Sequence, residues 1–110
     1  MTRTEYRVSD FLPQEELLAQ LAEEAAELCQ AALKLRRVMD GRNPTPTSYM
    51  LAVKNLNEEI ADVLLCLEQI HCQDEEVVGK IRRAKLERWL NRLKELRRKE
   101  DARKSAWPDE

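Results

Sequence analysis

Hydrophobic residues recur every three to four positions in three long stretches of this chain, separated by a proline-rich loop and a short polar joint. Leu17, Leu18, Leu21, Ala25, Leu28, Ala32 and Leu35 keep close to a 3.6-residue period, which predicts an amphipathic helix. Pro13, whose fixed φ suits a first helical turn, marks its start, with Ser9 or Asp10 as the candidate cap. Asp40 and Gly41 end it, and the prolines and glycine of GRNPTPT, residues 41–47, cannot continue a helix. A second helix is predicted from about Ser48 to Cys72, with Leu51, Leu56, Ile60, Val63, Leu64, Leu67 and Ile70 on its apolar side. Asp74 caps a third that reaches at least Leu96 and extends toward Lys104, with Val77, Val78, Ile81, Ala84, Trp89, Leu90, Leu93 and Leu96 on its apolar side.

The expected fold is therefore all-α: three long helices in a single domain over residues 1–104, followed by a disordered tail at 105–110. Helices of this size are about 37 Å long at 1.5 Å per residue. A compact chain of 110 residues has a radius of gyration of only about 13 Å. Rods that long cannot bury both sides of themselves in so small a monomer, which predicts a bundle completed by a homodimer or homotetramer.

Composition narrows the class. Charged residues are 36% of the chain and there are only two glycines, which suits solvent-facing helices and not a turn-rich sheet protein. The longest apolar run, Val63 to Leu67, is far short of the roughly 20 residues of a membrane span, and the N-terminal stretch resembles no signal peptide. Cys29, Cys66 and Cys72 are odd in number and lack CxxC spacing, which indicates neither a disulfide framework nor a zinc site. They suit small core or near-core positions, and the expected setting is cytoplasmic.

The net charge of −2 conceals a division. Residues 1–79 carry 7 Lys and Arg against 15 Asp and Glu, whereas residues 80–104 carry 12 against 4, so net charges of −8 and +8 face opposite ways along one chain.

Within the acidic part, one pattern occurs twice. EEAAEL holds Glu23, Glu24 and Glu27; EEIADV holds Glu58, Glu59 and Asp62. The only acidic pairs at i,i+3 in the chain are Glu24/Glu27 and Glu59/Asp62, and the only ones at i,i+4 are Glu23/Glu27 and Glu58/Asp62. Carboxylates so spaced share a helical face and repel by a few tenths of a kcal/mol. Their neighbours are alanines and aliphatics, with Lys54 the one basic residue within four positions. Small neighbours let a facing helix approach, so the acids belong at an interhelical seam, where buried carboxylates require a compensating charge. A divalent ion such as Mg²⁺ supplies it with oxygen ligation; pairing with the Arg and Lys of the third helix is the structural alternative.

EExxE followed by ExxD on successive helices resembles the MazG-like all-α nucleoside triphosphate pyrophosphohydrolases, over about residues 15–92. The resemblance implies Mg²⁺-dependent hydrolysis (Mn²⁺ being the alternative ion) of a nucleoside triphosphate between its α- and β-phosphates, to the monophosphate and pyrophosphate. Carried over by motif position, Glu24, Glu27, Glu59 and Asp62 would be the metal ligands, and Glu23 and Glu58 would orient or deprotonate the attacking water. The 31 residues between Glu27 and Glu59 make a longer spacer than the family usually has. Its members follow the acidic motifs with a Lys and an Arg that hold phosphates. In KIRRAKLERW, Lys80 and Arg88 match best by spacing, with Arg83 and Lys85 as alternatives.

Trp89 or Tyr49 could stack on a base, and Asn55 lies one turn before Glu59 on the same face. Trp89 equally suits a core position, since it falls on the apolar stripe. Glu68 and His71 form an ExxH, but a di-iron site needs two such motifs, and a single histidine cannot supply them within one chain. The competing reading is a non-enzymatic helical interaction module whose basic third helix binds nucleic acid or an acidic partner. It leaves the paired acidic motifs unexplained, and a pI near 5.6 argues against nucleic acid.

Overall fold

The computed structural model describes residues 7–106, which form three long helices and no strand. A 3₁₀ turn at Val8–Asp10 precedes α1 (Gln14–Asp40), α2 (Tyr49–Gln69) and α3 (Glu75–Ala106). The all-α expectation holds. No helix among the described residues is long and apolar enough to cross a membrane.

Local chemistry sets the helix ends. Pro13 is the N-cap of α1, with extended backbone and no side-chain cap bond. The expectation of a Ser9 or Asp10 cap is corrected here: Asp10 Oδ2 accepts instead from the Arg7 N–H at 2.9 Å, closing the 3₁₀ turn, and the Ser9 N–H donates to Gln69 Oε1 at 3.3 Å. At the other end of α1, Gly41 sits at φ 71° and its N–H donates to the Arg37 carbonyl at 2.8 Å, the left-handed cap that glycine adopts without strain. Ser48 Oγ accepts from the Leu51 N–H at 3.2 Å and starts α2. Asp74 caps α3 as expected, accepting from the Val77 N–H at 3.1 Å.

Two boundaries differ from the sequence reading. The second helix stops at Gln69, not Cys72: Ile70 turns to an extended conformation and is buried. Burying that side chain outweighs extending the helix into the polar joint. The third helix continues through Ser105 and Ala106, where a disordered tail was expected; residues 107–110 of that tail lie outside the described residues.

The chain divides into two compact units, one ending at Cys72 and the other beginning at Gln73. The first is an antiparallel hairpin of α1 on α2. Its open end is tied by the Gln14 side chain, whose Nε2 donates to the Gln69 carbonyl at 3.5 Å and whose Oε1 accepts from the His71 N–H at 2.7 Å. Near the closed end, Arg37 Nε donates to Thr45 Oγ1 at 3.0 Å. Leu17, Ala31, Ala52, Cys66 and Ile70 form its core. Two of these five are alanines, so the helix axes can approach closely.

At about 100° per residue, the stripe next to each helix contact is also apolar: Leu18, Leu21 and Ala25 on α1, Val53, Ile60 and Leu64 on α2. In an antiparallel pair both stripes fall on the same side of the hairpin, and Glu27 and Asp62 fall on the other. On the apolar side, Leu18, Ile60 and Leu64 are all exposed.

The second unit is α3. All of its residues are exposed except Gly79, which is half-buried. Its apolar positions, expected as core, are open too, with Trp89 59% exposed. Ion pairs within the helix support it: Lys80 Nζ to Glu76 Oε1 at 3.4 Å, and Arg98 to Glu95 at 2.7 Å.

The chain's two glycines should respond to alanine with opposite signs. Gly41→Ala places a Cβ at φ 71° and should destabilise the hairpin by about 1 kcal/mol. Gly79→Ala meets nothing within 4 Å in the second turn of α3 and should stabilise that helix by about 0.5–1 kcal/mol. Thermal melts followed by circular dichroism check both; a Gly41→Ala melt equal to wild type would remove the left-handed cap from the account.

Candidate metal centre

Glu24 and Glu27 come from the middle of α1, Glu59 and Asp62 from the middle of α2. The 3.6-residue period that puts Leu17 and Ala31 on the contact face also brings Glu24 to it, and the same holds for Glu59 between Ala52 and Cys66. One carboxylate oxygen from each of the four lies within 4.8 Å of the others. Thus the four residues expected to act together do converge, two from each helix.

The cluster is partly desolvated. Glu24 and Glu59 are half-buried and Glu27 is exposed, so full burial of all four, expected from their apolar neighbours, is corrected. Glu24 Oε2 and Glu59 Oε2 are nevertheless buried without a hydrogen-bond partner. No described lysine or arginine forms an ion pair with any of the four; the ion pairs present join Arg42 to Asp40, Lys80 to Glu76 and Arg98 to Glu95. A buried, unpaired carboxylate oxygen is costly, and convergent oxygens are the donor set a hard cation takes. The residues fit Mg²⁺ or Mn²⁺.

Glu24 records the strain. Burial raises its pKa first of all; the hydrogen bond from Gln20 opposes this, and the charges of Glu27 and Asp62 and a contact with the Glu27 carboxyl raise it further. Cys66 adjoins the cluster. Burial, then the charges of Glu24 and Asp62, push its thiol pKa up, which keeps it a neutral packing group and not a nucleophile. Of the other cysteines expected near the core, Cys29 and Cys72 are exposed: one lies on the outer surface of α1 and the other in the joint after α2.

Glu23 and Glu58 are exposed and stand outside the group of four, each one turn before a member of it, Glu27 and Asp62 respectively. Asn55 is half-buried on α2, one turn before Glu59. The four basic candidates all lie on α3 but not on one face. Lys85 and Arg88 line a groove of about 460 Å³ with Trp89 and Arg92. Val78, Ile81, Arg82 and Leu86 join Lys85 and Trp89 in another of about 550 Å³. Lys80 and Arg83 line neither groove, and Lys80 is paired with Glu76. Tyr49 is exposed at the start of α2.

Comparison of the chain with protein-family models, with curated proteins and with solved structures finds no match in any of the three. One residue that the sequence reading passed over is Gln20, whose Nε2 donates to Glu24 Oε1 at 2.8 Å. The available signal was an amide four residues before the second Glu of each acidic motif, Gln20 before Glu24 and Asn55 before Glu59.

The raised pKa of Glu24 has a definite sign. The folded chain holds this proton more tightly than the unfolded chain, so the associated stability is fully present below the ordinary carboxylate pKa and is lost as pH rises through the raised value. Glu24→Gln should therefore melt above wild type at neutral pH without divalent cations, and the gap should close below about pH 4. Equal melting temperatures at neutral pH would show that the cluster carries no repulsive load.

Proposed function

We propose that this protein is a Mg²⁺-dependent nucleotide pyrophosphohydrolase that cleaves a ribo- or deoxynucleoside triphosphate between its α- and β-phosphates. The observation that carries the reading is the convergence of Glu24, Glu27, Glu59 and Asp62, with two buried carboxylate oxygens left unpaired. The resemblance of the paired motifs to MazG-like enzymes supports the reaction class. A bound Mg²⁺ would neutralise the triphosphate and acidify a coordinated water.

The chain's own groups supply the rest. Glu24, Glu27, Glu59 and Asp62 hold the ion. Water attacks the α-phosphorus, the bond from it to the bridging oxygen breaks, and pyrophosphate leaves. The proton passes to Glu23 or Glu58, exposed carboxylates one turn from the ligands Glu27 and Asp62. Lys80 and Arg88, which match best by spacing, are the phosphate-binding candidates, with Arg83 and Lys85 as alternatives, all four on α3. Trp89 and Asn55 are the base-binding candidates. A cytoplasmic setting, rich in nucleotides and Mg²⁺, also suits three free cysteines.

The uncovered apolar side of the hairpin and the exposed Ile81, Trp89, Leu90 and Leu93 of α3 support a homodimer or homotetramer. The competing reading, an interaction module, draws on the same α3, whose basic and apolar residues are open along its length. It would give salt-sensitive retention on DNA and no effect of Mg²⁺ on stability.

A panel of ribo- and deoxynucleoside triphosphates with Mg²⁺ should yield nucleoside monophosphate and pyrophosphate, and Asp62→Ala should lower turnover at least about a hundredfold. Inorganic phosphate as the only released product, or wild-type turnover by Asp62→Ala, would overturn the assignment. Light scattering at micromolar concentration should give a dimer or tetramer mass; a monomer mass would refute the oligomer.

A further inference from the structure

A carboxylate that binds a metal through one oxygen is better oriented when its other oxygen is held by a hydrogen bond. Glu24 meets that condition. Its Oε1 accepts from Gln20 Nε2 at 2.8 Å, its Oε2 is buried without a partner, and one of its carboxylate oxygens lies within 4.8 Å of oxygens of Glu27, Glu59 and Asp62. The donor lies one turn earlier on α1, at the i,i+4 spacing where two side chains meet on one face.

The chemistry of the donor matters. A lysine or arginine at position 20 would supply the same hydrogen bond with a positive charge, and would compete with a cation for Glu24. A carboxamide donates without neutralising, so Glu24 stays available as an anion. The corresponding position on α2 is Asn55, one methylene shorter, and no hydrogen bond joins it to Glu59. The two motifs match in sequence, yet only the α1 carboxylate is held from behind.

We propose that Gln20 is a positioning residue that fixes the Glu24 carboxylate so that Oε2 faces the bound divalent ion. The proposal rests on the metal-binding reading above, and its test separates the two. Mn²⁺ binding to the full-length protein is titrated without nucleotide, by the loss of free-Mn²⁺ paramagnetic resonance signal, for wild type, Gln20→Met and Gln30→Met. Methionine keeps the length and helix propensity of glutamine and removes the donor; Gln30 is an exposed glutamine of the same helix.

Gln20→Met should bind Mn²⁺ roughly ten- to a hundredfold more weakly than wild type, Gln30→Met should match wild type, and both variants should keep the helical circular dichroism of wild type without metal. The lost turnover of Gln20→Met should return as Mg²⁺ is raised, since the defect lies in holding the ion, whereas a general loosening of the helix would depress turnover at every Mg²⁺ concentration. Wild-type Mn²⁺ affinity in Gln20→Met, with wild type itself binding, would overturn the role of Gln20 alone. Absence of Mn²⁺ binding by wild type would overturn it together with the metal site.

Discussion

The constraint on which the hairpin depends is the convergence of four carboxylates at the seam of two helices, with two of their oxygens buried and unpartnered. Unit charges 4 Å apart interact by about 1 kcal/mol in water and about 4 kcal/mol at the effective dielectric of a protein surface. Nothing basic among the described residues offsets it. The seam closes because the forces opposing it act elsewhere. Leu17, Ala31, Ala52, Cys66 and Ile70 supply apolar contact above and below the acids, and polar ties fasten the two ends. Gln14 bonds to the Gln69 carbonyl and the His71 N–H at one end, and Gly41, Ser48 and the Arg37–Thr45 pair shape the turn at the other. A hairpin pinned at both ends can hold a destabilised middle, which is where binding energy from a cation would be returned as stability.

The third helix follows a different rule. With Gly79 its only half-buried residue, it draws its order from local terms: the Asp74 cap, acids in its first turn, bases in its last, and its internal ion pairs. Each is worth tenths of a kcal/mol, but over 32 residues they accumulate. Its apolar residues add nothing to that sum while exposed. Their presence on a helix already rich in charge is a cost in solubility, which makes sense where a surface receives them.

Helix existence and most helix ends were legible in the sequence because they are local. Gly41, Ser48 and Asp74 act through bonds to residues three or four away, and such bonds leave fixed spacings. The end of α2 was not legible, because Ile70 leaves the helix to bury its side chain, and burial is a property of the partner surface. The same distinction explains α3: a 3.6-residue period identifies which face is apolar but not what covers it. The cysteines divide likewise. Cys66 falls on the α1-facing stripe of α2, whereas Cys29 points away from α2 and Cys72 lies past the helix end.

The acidic site was the most legible part, and the reason is symmetry. QLAEEAAE and NLNEEIAD place an amide, a leucine and three acids at the same spacings on two helices that run in opposite directions. Antiparallel copies of one motif are related by an approximate local twofold axis, so each ligand on α1 has a counterpart across the seam on α2. A single cation near that axis can take oxygens from both helices, whereas one lysine or arginine side chain would approach from one side and satisfy one helix in preference to the other. Matched spacing on both strands of a hairpin is thus better explained by a shared ligand than by ion pairing. The difference between Gln20 and Asn55 breaks that symmetry: Gln20 donates to the Glu24 carboxylate, whereas the shorter Asn55 makes no such bond to Glu59.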